Sequence, residues 1–328
     1  MSCLIIIPCL NEADHIGDLL THFSPSLTGN SKLVVVDGGS HDGTQEIVER
    51  WSEKDDHIVL LHNPDKIQSA AMNLAVDQFG DDYEYFIRID AHGQYPEDFI
   101  TTLLAEAEKH QADSVVVSMY TEGHTPFQVS AAIAQNSKLG NGGSPHRNAQ
   151  NNGKWVEHGH HALMKVSAYR AVGGYDETFV ANEDAELDKR LTDAGYKIWL
   201  TGQTDMTYFP RKTPESLFKQ YYNYGKGRAA NCIKHNTIPK LRQLIPLSVV
   251  PVLLMALLLG EWHFIFALPA LLWIAACLLV GATGGKSDQF PLSAKLSGIP
   301  AMIMHLGWSL GFCAALLFPA LRRKPVHD

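Results

Sequence analysis

From Cys3 to Ser118 the chain alternates short β-branched runs with longer amphipathic stretches, a pattern compatible with few folds. Cys3–Ile7 reads as a strand, followed by a helix from about Glu12 to His22. Leu33–Val36 is the next strand, and a Gly-Gly turn then opens a helix within "SHDGTQEIVERWSE". Ile58–Leu61 with Ile67–Gln78, and Tyr85–Ile89 with Pro96–His110, repeat the unit before a further strand at Ser114–Ser118. Strands separated by helices of this length predict βαβ crossovers and a mostly parallel α/β sheet flanked by helices. Such sheets bind ligands outside the carboxyl ends of their strands. Those ends carry the unusual residues here: Pro8–Glu12, Asp37–Ser40, Asn63–Lys66 and Asp90–His92.

Composition adds a division. The chain is 45% hydrophobic and 19% charged overall, but charge nearly vanishes after Ile245. Between Ile245 and Thr283 only Glu261 is charged, and Leu296–Leu321 has no charged residue. Uncharged runs of this length can cross a bilayer as helices, so the expected organisation is a catalytic-sized portion over 1–240 and a membrane region over 241–328. A buried helical subdomain is the alternative. Candidate segments are Leu244–Leu259, Phe264–Ala282 and Leu296–Leu321, with Pro246, Pro251 and Pro269 permitting kinks or a re-entrant path. Lys240, Arg242, Lys286 and Lys295 all suit the cytoplasmic side, but three full crossings put Arg322–Lys324 outside. Either the first segment does not cross or the topology is an exception.

The amino terminus lacks a basic region ahead of its short apolar run, so it reads as a core strand rather than a signal peptide. Five cysteines, with no CxxC spacing, suit reduced thiols. A formal charge of −8 gives no reason to expect nucleic acid as a partner.

Each motif has a bland reading beside a chemical one. Asp37-Gly-Gly-Ser-His-Asp-Gly-Thr44 follows a strand directly; Asp37 could accept hydrogen bonds from a base or ribose, or the segment could be a turn with Ser40 or Asp42 as helix cap. There is no GxGxxG and no Walker A. Asp90-Ala-His92 pairs a carboxylate with an imidazole, a donor set suited to Mg²⁺ or Mn²⁺ at a diphosphate; Arg88, on the same strand face, could instead be an ion-pair partner of Asp90. Glu157-His-Gly-His-His161 matches no usual zinc spacing, although one of its histidines could line a pocket. Asn182-Glu-Asp-Ala-Glu opens a helix, where first-turn acids satisfy the dipole; Asp184 or Glu183 is also a candidate general base. Gln220–Arg228 could hold a diphosphate or sugar, or form an interfacial aromatic-basic belt.

The order of these motifs resembles the inverting family 2 glycosyltransferases. The resemblance rests on Pro8-Cys-Leu-Asn-Glu12, Val36–Thr44, Lys66–Asn73, Arg88-Ile-Asp-Ala-His92 and residues 173–200, and covers about residues 3–235. The Asp-Ala-His form, "GHHAL" and "QYYNYGKGRA" are similar to a branch of bacterial exopolysaccharide glucosyltransferases of the succinoglycan type. The resemblance implies a GT-A fold, a Rossmann-like mixed, mostly parallel sheet, with C-terminal membrane helices. It implies transfer of glucose from UDP-glucose, in β linkage, to a lipid-linked saccharide at the inner face of the plasma membrane. Carried over, Pro8, Leu10, Glu12 and Asp37 line the base and ribose, and Lys66 and Arg88 lie near the nucleotide. Asp90 and His92 hold a divalent cation, Asp184, with Glu183 beside it, supplies the base, and Lys226 or Arg228 assists the departing diphosphate. The chain departs from the family pattern at Gly38, where a second Asp is usual, and at His92, which replaces a metal-binding Asp. A nucleotidyltransferase and a non-catalytic membrane protein with a degenerate nucleotide domain are the rival readings. The first lacks its Gly-rich activating loop, and retention of Asp37, Asp90 and Asp184 argues against the second. A Gly/Asn-rich loop over 139–153 is expected to order over the donor.

Overall fold

The computed structural model describes residues 2–141, 153–179 and 181–322; most of the loop expected over the donor therefore lies outside the described residues. Its compact packing divides into two units: 1–119, 148–177 and 183–207 form one, and 120–147, 178–182 and 208–328 the other.

The first unit contains the predicted alternation. β1 (Leu4–Cys9), β2 (Lys32–Asp37), β3 (Ile58–His62) and β4 (Tyr85–Arg88) pair in parallel, in the order β3-β2-β1-β4. Helices α1 (Ala13–Phe23), α2 (Thr44–Ser52) and α3 (Gln68–Phe79) connect them. Leu4, Ile5, Ile6 and Ile7 are all fully buried. They form a continuous apolar run because helices cover both sheet faces, with Ile5 and Ile7 in one core and Leu4 and Ile6 in the other. β5 (Gly93–Gln94) has two residues, and α4 (Phe99–His110) leads into β6 (Ser114–Thr121).

Beyond β4 the sheet becomes mixed. β8 (His160–Lys165) lies between β4 and β6, antiparallel to both. β9 (Ile198–Tyr208) follows β6 in the strand order, and β7 (Lys154–Val156) pairs antiparallel with it. The sequence pattern showed no register for these antiparallel strands, because their partners are far apart in the chain. The chain runs outward from β1 to β3, then returns to place β4 on β1's other side. That reversal makes the β1/β4 boundary the topological switch point, where this fold class binds its ligands.

Within the second unit, α5 (Pro126–Asn136) and α6 (Lys138–Asn141) precede α9 (Pro214–Lys234); α7 (Val166–Ala171) and α8 (Glu183–Asp193) belong to the first. The apolar C-terminal portion forms α10 (Leu241–Leu247), α11 (Val249–Leu259), α12 (Leu268–Gly284), α13 (Pro291–Lys295) and α14 (Gly298–Leu317). Leu241–Leu259 and Gly298–Leu317 are long and apolar enough to cross a membrane; α12 is shorter.

Gln220–Arg228 lies in the interior of α9, and its glycines are contact points within the unit. A Cβ on Gly225 would overlap the Trp308 carbonyl oxygen, and one on Gly227 would overlap that of Ala181. Glycine in a helix interior costs stability relative to alanine, a cost offset here by backbone approach. Gly225→Ala is expected to destabilise the protein by about 1–3 kcal/mol through overpacking, read as a lower denaturation midpoint.

Candidate active site

The first and second motifs are joined backbone to side chain. Ser40 Oγ accepts from Asn11 N at 2.8 Å, Thr44 Oγ1 from Glu12 N at 2.9 Å, and Asp42 Oδ2 from Ala13 N at 3.0 Å. Asn11 Oδ1 accepts in return from His41 N at 3.0 Å. The polar side chains of "SHDGT" thus satisfy the exposed N–H groups at the start of α1, across the sheet edge rather than along the chain. Asn11 and Lys66 both hold positive φ, 56° and 59°, backbone conformations that non-glycine residues adopt at a cost.

Asp37 is buried, and its oxygens are fully engaged. Gly39 N and Ser40 N donate to Oδ2 at 2.8 and 2.9 Å, Gln45 Nε2 at 2.6 Å, and the Ser40 hydroxyl donates to Oδ1. Burial raises its pKa, but these hydrogen bonds outweigh that and hold the carboxylate below its ordinary range. Here the turn-building role is realised directly. Gly38 has a packing explanation: a Cβ there would lie 3.3 Å from Lys66 Cα and 3.5 Å from Cys9 O. A side chain at Gly38 would press on the Lys66 backbone by a few tenths of an ångström.

At the switch point, Arg88 organises the site. It extends from the face of β4 that Phe86 shares, and only 5% of it is exposed. Its Nη1 donates to Asp184 Oδ1 at 2.7 Å and to the Tyr175 hydroxyl at 3.0 Å; Nη2 donates to Asp184 Oδ2 at 3.3 Å. Its Nε lies 3.4 Å from Asp90 Oδ1. Burial alone would lower the guanidinium pKa, but the charges of Asp184 and Asp90 and the hydrogen bond to Asp184 outweigh it. The Tyr175 hydroxyl donates to Asp184 Oδ1 at 2.7 Å. Asp184 is accordingly held well below the usual carboxylate range: burial pushes it up, and Arg88 and the two histidines His161 and His160 push it down further.

Glu183, one residue earlier, goes the other way. Burial and then the Asp184 charge push its carboxyl up to about 7, and Arg88 and Asp90 are near enough to act on it. The two adjacent acids at the head of α8 are therefore separated in character.

Asp90 is held in place by Tyr95, whose hydroxyl accepts from Asp90 N at 2.8 Å and donates to Asp90 O at 3.1 Å. Burial raises the Asp90 pKa, and Arg88, His160 and His92 together bring it below its ordinary value. His160 lies between Arg88 and Asp90. Arg88 Nη2 approaches its Nδ1 at 3.5 Å and Asp90 Oδ2 its Nε2 at 3.4 Å. Burial pushes His160 down to about 4, so it is neutral at neutral pH. His92 is more exposed, with Nδ1 3.4 Å from Glu12 Oε1. The carboxyl end of β1 is thereby brought to the carboxyl end of β4.

The Glu157–His161 run has a structural partner that its spacing did not identify, Asp188. His158 Nδ1 lies 2.6 Å from Asp188 Oδ2, His161 Nε2 2.8 Å from Oδ1, and Gly159 N donates to Oδ2 at 3.3 Å. Burial lowers the pKa of His161, but the Asp188 charge raises it by more. Asp188 stands four residues after Asp184 and so on the same face of α8, a periodicity visible in the sequence. Tyr175, Tyr95 and Ser114, which contacts His161 Nδ1 at 3.1 Å, gave no such signal.

No group of three or more His, Cys, Asp or Glu side chains suited to a metal occurs among the described residues. Asp90 and His92 supply an oxygen and a nitrogen donor from one partly exposed strand end, which fits a divalent ion whose remaining positions are filled by water and substrate. Pro8 is half-buried and Leu10 is exposed, both at the end of β1. Lys226 and Arg228 lie on α9 in the second unit, where the Lys226 ammonium sits 5.6 Å from the Tyr222 ring centroid.

Comparison with known proteins identifies the family. The sequence model of glycosyl transferase family 2 matches residues 4–173, and the chain is 52% identical over 321 residues to succinoglycan biosynthesis protein ExoA of Rhizobium meliloti (strain 1021), covering 96% of this chain and 95% of that one. This chain is a family 2 glycosyltransferase. It is also 26% identical over 229 residues to glycosyltransferase AglE of Haloferax volcanii, covering 68% of this chain and 72% of that protein. The fold is similar to that of a mannosyltransferase from Pyrobaculum calidifontis solved with GDP-Man and Mn²⁺, with TM-score 0.58, 19% identity, and coverage of 97% of this chain and 87% of that one. The GT-A architecture of this glycosyltransferase is thus shared at low sequence identity.

Removing Arg88 leaves two carboxylates without their counter-charge. Arg88→Met is expected to destabilise the fold by about 3–5 kcal/mol in denaturant titration, and the double variant with Asp184→Asn to recover part of that loss.

Proposed function

We propose that the chain transfers glucose from UDP-glucose, with inversion, onto a lipid-linked saccharide in exopolysaccharide assembly of the succinoglycan type. The reading places it at the inner face of the plasma membrane, with residues 1–240 cytoplasmic and 241–328 as the membrane region. The convergence of Asp90, Arg88 and Asp184 at the switch point, with Glu183 next to Asp184 at the head of α8, carries the catalytic part of the proposal. The identity with the Rhizobium meliloti protein along nearly the whole chain supports the substrate class.

In this reading the acceptor hydroxyl oxygen attacks the anomeric carbon as the bond to the diphosphate oxygen breaks, and that oxygen keeps the electron pair. An α-linked donor then gives a β-linked product. The acceptor's proton passes to a carboxylate at the head of α8. Asp184 was the expected base, but both its oxygens receive hydrogen bonds from Arg88, and its proton affinity is low. Glu183, raised to about 7, is better matched to accept a proton near neutral pH. Asp184 then fixes Arg88, and Arg88 fixes Asp90. Asp90 and His92 would hold a Mn²⁺ or Mg²⁺ ion, which when bound neutralises charge on the leaving diphosphate.

The experiment is a donor screen with the full chain and a bacterial membrane lipid extract, reading sugar incorporation into lipid. Incorporation from UDP-glucose above other donors supports the proposal; transfer from a different nucleotide sugar, or none, overturns the donor assignment.

Glu183→Gln is expected to lower turnover by about 10²–10⁴-fold while UDP affinity measured by calorimetry stays within about twofold. A base must be deprotonated to act, so wild-type turnover rises with pH through about 7, where Glu183 loses its proton, and the variant's residual rate lacks that rise. Retained turnover in Glu183→Gln with loss in Asp184→Asn returns the role to Asp184.

A further inference from the structure

Apolar length suggests crossing helices in the C-terminal region, but the packing of the second unit commits part of that region to protein contacts. α14 is a core helix. Only Ile299, Leu316 and Leu317 of its 20 residues are exposed. Half of its apolar stretch is buried, against 6% for Leu241–Leu259. Its polar residues serve neighbouring segments of the same unit. His305 Nε2 donates to Leu139 O at 2.9 Å, and its Nδ1 accepts from Trp273 Nε1 at 3.2 Å. The Ser309 hydroxyl donates to Leu247 O at 2.9 Å and accepts from Val250 N at 3.1 Å. Leu247 O needs that donor, because the residue four places on is Pro251, which has no N–H.

α9 packs along α14 so closely that a Cβ on Gly311 would overlap Tyr222 O, and one on Gly307 would lie 2.9 Å from Phe218 O. α9 carries Glu215, Lys219, Lys226, Arg228 and Lys234, charges that keep it out of hydrocarbon. The stretch of α14 against it stays out as well, and so do the parts of α10–α12 that α14 touches. Leu247 and Val250 are held by Ser309; Trp273 by His305; Cys277 and Gly281 lie against Gly298.

The tip, from about Pro251 to Leu272, lies beyond these contacts, whereas Leu241, Ile245, Leu278, Leu279 and Val280 are exposed on segments that α14 holds. The tip's exposed apolar side chains include Leu254, Leu257, Leu258, Phe264 and Leu272, and Trp262 is 86% exposed. α11, at 11 residues, is about 16 Å long, about half of a hydrocarbon core of about 30 Å. Lys240, Arg242, Lys286 and Lys295 flank both arms of the hairpin at the end away from the tip, placed for anionic headgroups.

We propose that this chain is monotopic: the α11–α12 tip inserts into one leaflet, no segment crosses, and α14 is not a membrane span. Insertion is oblique, so that Glu261 and His263 reach the headgroups, where Trp262 is at home. With no crossing, α14 ends on the side that Lys240 and Lys286 occupy, and the conflict in positive charge disappears. The proposal deepens the membrane association put forward above and rests on it.

The test uses full-length chain in the host cell membrane, with Cys232 and Cys313 replaced by Ser and a single cysteine introduced by Glu261→Cys or Leu257→Cys. Both positions are exposed, so folding should survive, checked by retained transferase activity or circular dichroism. The expected result is no reaction of either with an impermeant maleimide from the outside of spheroplasts. A bimane label at Leu257→Cys should be quenched by doxyl lipids at least about twofold more than one at Asp288→Cys, as burial of the tip alone in hydrocarbon requires. Labelling of Glu261→Cys from outside would show a crossing hairpin and overturn the proposal, leaving membrane association intact. Cleavage from outside of a protease site placed after Arg322 would show α14 crossing and overturn it likewise. Recovery of the chain in the soluble fraction, with no doxyl quenching, would overturn the membrane reading and the proposal together.

Discussion

A guanidinium buried against the face of a sheet must be paired, and the pairing of Arg88 governs the rest of the site. Its side chain leaves β4 on the face covered by α3, α7 and α8, where water cannot solvate it. Asp184 arrives from α8 and Asp90 from two residues further along the same chain face, at 2.7 and 3.4 Å. The ion pair locks the head of α8 to the end of β4. It also separates two adjacent carboxyls: Asp184, stabilised as an anion, loses proton affinity, while Glu183, partly buried and next to that anion, gains it. Environments that push neighbouring acids apart in this way are how one site supplies both a fixed charge and a titrating group.

The same need for partners runs through the polar motifs. Ser40 and Asp42 were candidates for a local cap, and Asp42 Oδ1 does accept from Thr44 N; but Ser40, Asp42 and Thr44 also accept from the N–H groups of Asn11–Ala13. His158 and His161, whose spacing matched no usual zinc site, hold Asp188 from two sides. In each case residue type announced that a polar partner was needed; the partner's address lay dozens of residues away. Spacing along the chain carries no information on such pairs.

Legibility followed the same line in the fold. The strands and helices up to β6 emerge close to their expected bounds because periodicity and turn residues are local signals. β7, β8 and β9 pair antiparallel across long separations, and nothing local distinguishes them. Hydropathy was informative about the C-terminal region but incomplete. It marks Leu241–Leu259 and Gly298–Leu317 alike as apolar, yet one is nearly bare and the other half-buried. Apolar sequence reports that a helix avoids water, not whether lipid or protein covers it.

By itself, then, the sequence determined an α/β sheet with its chemistry at the strand ends, the ordered motifs of a family 2 glycosyltransferase, and an apolar carboxyl-terminal region. Those features are written in residue type, period and order, which the chain carries one position at a time. Only the tertiary structure decided that Asp184 commits its charge to Arg88, that Gly38 lies against the Lys66 backbone, and that α14 packs on α9. These are outcomes of which groups share a volume from which water is excluded. There the cost of an unpaired charge or an overlapping atom selects the partner, and no count of residues between them can.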